Sequence, residues 1–305
     1  MIAICSRSVS QSQHALNILK KNFKNIKINK SNKILANNSL INFVKNCKII
    51  IIGIEKIDKK FLDRCPDLKV IIKYGVGTNN IDFKYLKKKK IKIVLQHGIN
   101  KRAVSEITLG FILIGLRKIY YLLNEVKKKS WPFIFGNLLT NKKVGIIGCG
   151  NIGQDLYKIL KPFKCEIFLN DINKKNNFLR KKNSKSKNLE FLLKNSDRIS
   201  LHIPLNETNK LFITKREFSL MKKDVIFINT SRGGIVNENS LYLFLKKNEN
   251  SRAFFDVMLK EPISNQKLLK LKNFYLTPHL AGSTKEILNK ASIDCASKAL
   301  RFSNI

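Results

Sequence analysis

Eleven short apolar runs that alternate with helical patterns constrain this chain more than any other feature of it. IAIC (2–5), IKIN (26–29), KIIIIG (48–53), LKVIIKYG (68–75) and IKIVLQ (91–96) form a first set. KVGIIG (143–148), CEIFLND (165–171), RISLHIP (198–204), DVIFINT (224–230), RAFFDV (252–257) and NFYLTP (273–278) form a second. Strands interleaved with helices build parallel sheets covered on both faces. A long helix is expected between the sets, from about residue 103 to 119. At 305 residues the chain exceeds the usual size of one core, and its 44% apolar content suffices for two. It has no repeat in the roughly 20–50-residue range of solenoids. The expected fold class is α/β, with two doubly wound parallel-sheet domains.

The formal net charge of +38 would attract phosphate backbones of any sequence. The pattern of the charge argues against a specific nucleic-acid partner. Ten of the 59 basic residues are arginine, and the lysines are scattered among isoleucine and asparagine, as an A/T-rich coding bias would leave them. The longest run, Lys87 to Lys90, has no interleaved aromatics for stacking bases. The N-terminus, MIAICSRSVSQSQ, does not read as a signal peptide. The longest apolar run, Ile107 to Leu116, falls short of the roughly 20 residues that cross a bilayer. Six cysteines (Cys5, Cys47, Cys65, Cys149, Cys165, Cys295) contain no CxxC pair, and four dispersed histidines suggest no metal cluster. A cytoplasmic protein without a metal or membrane partner is expected.

The second set opens with KVGIIGCGNIGQDLYKIL, in which a strand runs into Gly148, Gly150 and Gly153 and a helix follows at once. The first glycine of such a turn permits the tight bend, the second lets the backbone approach a pyrophosphate, and the third allows close helix-to-strand packing. The helix N-terminus then faces the phosphate charge. Asp171 ends the next strand, where a carboxylate would accept hydrogen bonds from the adenosine ribose and repel a 2′-phosphate. NAD is therefore expected over NADP, although Lys174 and Lys175 work in the opposite direction.

FINTSRGGIV (227–236) ends an apolar strand on Arg232. Ligands of open α/β sheets sit beyond the carboxyl ends of the strands, and a guanidinium placed there is costly without an anion. Its planar fork matches a carboxylate. Gly233 and Gly234 are expected to keep side chains out of the substrate's space. The competing reading of Arg232 is an ion pair to an internal acid.

INTSRGGIV (228–236), FFDVMLKEP (254–262), LTPHLAGST (276–284), GIIGCGNIG (145–153) and YGVGTNNID (74–82) together resemble the D-isomer-specific 2-hydroxyacid dehydrogenases. The resemblance covers nearly the whole chain and is nearest to the D-3-phosphoglycerate dehydrogenase group. It implies a Rossmann NAD-binding domain, residues 99–283, inserted in a flavodoxin-like substrate domain, residues 1–98 and 284–305, with the active cleft between them. It further implies hydride transfer between NAD and a D-2-hydroxy acid, with 3-phosphoglycerate as the first expectation. Glyoxylate or hydroxypyruvate reduction, or another acid of the class, is the alternative.

The roles implied by the resemblance are specific. Arg232 would grip the substrate carboxylate and polarise the carbonyl, His279 would be the acid/base, and Glu261 would hold the imidazole. Moving a hydride also requires moving the hydroxyl proton, and imidazole suits neutral pH. Backbone N–H groups of Tyr74, Gly75, Val76 and Gly77 would take the carboxylate from the other side, with Asn100 nearby. Cofactor contacts would come from Gly148, Gly150, Asn151, Ile152, Gly153 and Asp171, and from His202, Pro204 and Thr208. Thr230, Ser231, Arg232, Asp256, His279 and Gly282 would complete them, Asp256 holding the nicotinamide carboxamide. His14 reads as a surface helix residue, and His97 as lying near the interdomain hinge.

The sequence departs from the family at Asn79, where aspartate is frequent, at Ser105, where alanine is common, and at Phe255, where a smaller residue is usual. These changes bear on substrate preference. A glutamine in place of Glu261 would be expected of a formate dehydrogenase, so the glutamate argues against that activity. A non-catalytic, corepressor-like dinucleotide sensor is the remaining class. Residues 120–140 read as an aromatic-rich arm that packs across a two-fold axis, or else as an intramolecular flap, with Trp131 buried in either case. A homodimer is expected.

Overall fold

The structure is a computed structural model that describes residues 1–173, 177–182, 185–263 and 266–304. Lys174 and Lys175, expected to oppose the NAD preference, lie outside the described residues. The chain divides into two compact units, one of Met1–Asn100 with Ser283–Ile305 and one of Lys101–Gly282.

In the first unit β1 (Ile2–Ile4), β2 (Ile26–Ile28), β3 (Ile49–Ile52), β4 (Val70–Lys73) and β5 (Lys92–Val94) form a parallel sheet ordered β2-β1-β3-β4-β5. This is the flavodoxin-like order. Side chains alternate faces along a strand, so Ile2, Ile4, Ile49 and Ile51 enter one core while Ala3, Cys5, Ile50 and Ile52 enter another. Both faces are covered, which is why the strands read as unbroken isoleucine rather than as alternation. The C-terminal helix Lys285–Leu300 returns to this unit and supplies Cys295, Ala296 and Ala299 to its core.

The second unit contains β6 (Lys143–Ile147), β7 (Glu166–Asn170), β8 (Arg198–Leu201), β9 (Ile226–Asn229), β10 (Arg252–Phe255) and β11 (Phe274–Leu276), ordered β11-β10-β9-β8-β6-β7 and parallel throughout. A single parallel bridge, Leu169 to Ser186, continues the sheet beyond β7. Counting that bridge as a rudimentary third strand gives the dinucleotide-binding order 3-2-1-4-5-6, with β11 added as a seventh. The direction of winding reverses between β6 and β8, and the crevice of such a sheet opens there.

One expectation is corrected. The helix expected over about residues 103–119 runs from Lys101 to Arg117, where Lys118 adopts φ 53°; a second helix, Ile119–Lys127, follows. Neither glycine nor proline marks that break, because a lysine occupies the left-handed position. Within the single chain Trp131 is 87% exposed, so no segment of its own chain buries it. Exposure alternates along residues 131–135: Trp131, Phe133 and Phe135 are exposed, the rings of Phe133 and Phe135 5.2 Å apart, while Pro132 and Ile134 between them are partly covered. The intramolecular flap that would have buried them is not formed. No helix among the described residues is long and apolar enough to cross a membrane.

Candidate active site

The first cluster of side chains surrounds the turn after β6. Gly148 has φ 96°, and a Cβ there would collide with the carbonyl of His202. A Cβ on Gly153 would meet the carbonyl of Gly148, so this glycine permits the close approach of helix Asn151–Leu160 to the turn. Gly150 differs from both, because space stands open where its side chain would be. It is also the N-cap of that helix and gives no side-chain cap, which leaves the first-turn N–H groups, among them those of Asn151 and Ile152, to an incoming anion.

Asp171 lies beside this turn. Its Oδ2 accepts from Cys149 N at 2.6 Å and its Oδ1 from Asn173 N at 2.8 Å, so the carboxylate is fixed against the glycine turn with lone pairs to spare. His202, just past β8 on the other side of the reversal, donates its backbone N–H to Ile147 O at 2.7 Å. Its ring Nε2 lies 2.8 Å from Ser200 Oγ, and its buried Nδ1 has no partner among the described residues. Burial pushes the imidazole down to about 3, so it is neutral at physiological pH. An open cradle at Gly150, an uncapped helix N-terminus, a fixed carboxylate and an orphaned buried nitrogen at one crevice fit a dinucleotide. Pro204 and Thr208, also expected there, are exposed, and both Thr208 N and Oγ1 turn back to Asn206 Oδ1.

The second cluster comes from the loops after β9, β10 and β11. Asn229, the last residue of β9, accepts from Ser231 N and Oγ at 3.1 and 2.7 Å and donates to Arg232 O at 3.1 Å. It thereby shapes the loop that presents Arg232. Asparagine ahead of a glycine pair is a turn former, and that was the signal available in the sequence for this residue. Thr230 Oγ1 lies 3.1 Å from Thr108 Oγ1, in a buried contact. The Arg232 guanidinium is half-buried; it donates to Ser231 O at 2.6 Å, and burial lowers its pKa while the Glu261 carboxylate opposes that shift.

A Cβ on Gly233 would collide with the carbonyl of Met258. This corrects the expectation that Gly233 clears substrate space: it lets two loop backbones touch. Gly234 takes φ 80°, which favours glycine. The same close approach brings the β9 loop against the segment that carries Glu261, whose Oε1 accepts from Met258 N at 2.9 Å. Glu261 Oε2 meets His279 Nδ1 at 2.7 Å. Glu261 therefore touches the histidine and acts on the arginine, and the three residues expected to do the chemistry are brought together. Asp256, expected at the nicotinamide, is buried and accepts from Thr277 Oγ1, Leu280 N and Ala281 N; Gly282 follows that loop, half-buried.

In the first unit, the Tyr74–Gly77 loop follows β4. Gly75 has φ 82° and donates to Gln96 Oε1 at 2.8 Å, and Tyr74 N donates to Ile52 O at 2.8 Å. Two of the four N–H groups expected to receive a carboxylate are therefore committed internally, leaving those of Val76 and Gly77. Asn100 directly precedes the helix Lys101–Arg117. His14 is exposed on helix Gln13–Asn22 and His97 is exposed after β5. Among the described residues no group of histidine, cysteine and carboxylate side chains is arranged to hold a metal.

Residues 109–281 match the D-isomer specific 2-hydroxyacid dehydrogenase NAD-binding domain. The chain is 36% identical over 241 residues to the glyoxylate reductase of Thermococcus litoralis, covering 76% of this chain and 73% of that one. Its structure is similar to that of D-lactate dehydrogenase from Aquifex aeolicus complexed with NAD and lactic acid: TM-score 0.84, 27% identity, 99% of this chain and 95% of that one. It shares its fold with the NAD-bound 3-phosphoglycerate dehydrogenase of Entamoeba histolytica, with TM-score 0.79, 23% identity and coverage of 99% and 94%.

Proposed function

The chain belongs to the NAD-dependent D-isomer-specific 2-hydroxyacid dehydrogenases, and from that premise we propose that it interconverts a small 2-oxo acid and its D-2-hydroxy acid through Arg232, Glu261 and His279. The observation that carries this reading is the Glu261 carboxylate, in contact with one proton-transfer group and in the field of one carboxylate-binding group. Arg232 takes the substrate carboxylate and stabilises the charge that develops on the carbonyl oxygen. Bound NAD supplies or accepts the hydride. His279 moves the proton: with Nδ1–H donating to Glu261, Nε2 is the atom left to give a proton to the nascent alkoxide, or to remove one from the hydroxyl. The first cluster holds the cofactor through the Gly148–Gly153 turn, Asp171 and His202, and Asp171 favours NAD over NADP by meeting the ribose hydroxyls.

The similarity to a glyoxylate reductase favours glyoxylate or hydroxypyruvate as substrate. 3-Phosphoglycerate is the second reading, favoured by the five sequence motifs. The exposed row Trp131, Phe133 and Phe135 supports a homodimer that covers it. The deciding experiment is NADH and NADPH oxidation with glyoxylate, hydroxypyruvate, pyruvate and 3-phosphohydroxypyruvate, alongside reduction of NAD by the corresponding D-hydroxy acids. One oxo acid should be clearly preferred, with NADH ahead of NADPH. NADH binding without turnover of any acid would instead favour the dinucleotide sensor.

A further inference from the structure

We infer that Asp256 is a positioning residue for His279, clamping the backbone on both sides of the imidazole so that it meets Glu261. The inference rests on the reading of His279 as the acid/base. Asp256 follows β10, is 1% exposed, and anchors its own backbone by donating N–H to Asn229 O at 3.0 Å. Its carboxylate reaches across to the loop after β11. Oδ1 accepts from Thr277 Oγ1 at 2.6 Å and from Leu280 N at 2.8 Å, and Oδ2 accepts from Ala281 N at 2.8 Å. The three donors bracket His279, two residues before it and one and two residues after it.

His279 needs such a clamp. Its φ is 54°, in the left-handed region, where a residue with a Cβ persists when its surroundings hold it. With the chain reversed at that residue, His279 N donates to Thr277 O at 2.9 Å and the side chain is delivered to Glu261 at 2.7 Å. A carboxylate has about four lone-pair sites, and three are filled by this one loop. Its burial and its partners therefore give it a task in the proton-transfer loop, distinct from the carboxamide contact that the family resemblance implies.

The test is Asp256→Asn in the full chain. The amide keeps the volume, but its NH2 faces a backbone donor where an oxygen stood. NADH affinity, measured by fluorescence titration, should stay within about threefold while kcat falls about 10²-fold, the scale of an ångström-level misplacement. The downfield proton resonance of the Nδ1–H of His279, identified by its absence in His279→Asn, should be lost or shifted without cofactor present. NADH affinity falling as far as kcat would overturn the inference and return Asp256 to the cofactor, and so would unchanged kcat with an unchanged resonance. Should Asp256→Asn fail to fold, Thr277→Val removes one of the three bonds and leaves the carboxylate. It should lower kcat about fivefold and shift the same resonance, and no change in either sinks the proposal. Full turnover by His279→Asn would count against the acid/base reading itself, which is a different failure.

Discussion

Two histidines stand past the carboxyl ends of strands in one sheet and have opposite chemical prospects. His202, after β8, is 9% exposed, has a hydroxyl as its ring partner and is pushed down to about 3 by burial. The side chain of His279, after β11, is 48% exposed and 2.7 Å from a carboxylate. An imidazole shut away from water without a counter-charge is a fixed dipole and hydrogen-bonding group. One held by a carboxylate at the open end of the sheet can exchange protons with a substrate. The environments differ because Gly148 presses the turn against the backbone of His202, whereas the loop of His279 stands clear at positive φ on the clamp of Asp256.

The largest expected effect follows from exchanging the roles. His279→Asn should lower kcat by about 10² to 10⁴ with NADH affinity nearly unchanged. If the matching change at His202 cost kcat as much while sparing NADH binding, the contrast between the two residues would collapse. Steady-state kinetics and fluorescence titration on the two variants decide it.

Next in size is Glu261→Gln, which keeps a hydrogen-bonding oxygen beside Nδ1 but removes the charge. A fall of about 10-fold to 10²-fold in kcat is expected, with a melting temperature close to that of the parent, since the Glu261 side chain is 40% exposed. A melting temperature that dropped sharply while kcat held would make the pair a structural contact.

The smallest effect is on stability and belongs to His202. Its folded value of about 3 lies below its ordinary 6.5. Above pH 6.5 the ring is neutral in both folded and unfolded chains, so its contribution there is complete. As pH falls from 6.5 toward 3 the unfolded chain takes up a proton that the folded chain refuses, and stability is lost. The loss amounts to about 2 kcal/mol at pH 5. His202→Gln should therefore show a flatter decline than the parent between pH 7 and 5 in urea midpoints, and parallel curves would show that the ring is not the buried neutral group described.

Much of this was legible in the sequence. The eleven strands stood out because both faces of each sheet are covered, which makes a central strand an unbroken apolar run. Gly148, Gly150 and Gly153 were legible because a phosphate turn requires glycine at that spacing. Asp171, Arg232, Glu261 and His279, the residues proposed for the site, stood out by their motifs. The Ser186 bridge was not legible, since one residue carries no periodicity. Nor was the helix break at Lys118, where no glycine or proline announces the left-handed residue.

By itself, then, the sequence determined the α/β class and the run of strands and singled out the groups proposed to react, because these depend on local pattern and residue chemistry. The tertiary structure alone decided that Gly233 serves a loop-to-loop contact, that Asn229 shapes the arginine loop, that Trp131 faces outward and that Asp256 grips the histidine loop. Each of those depends on which backbone atoms of distant segments come within hydrogen-bonding or van der Waals reach, and spacing along one chain does not encode that proximity.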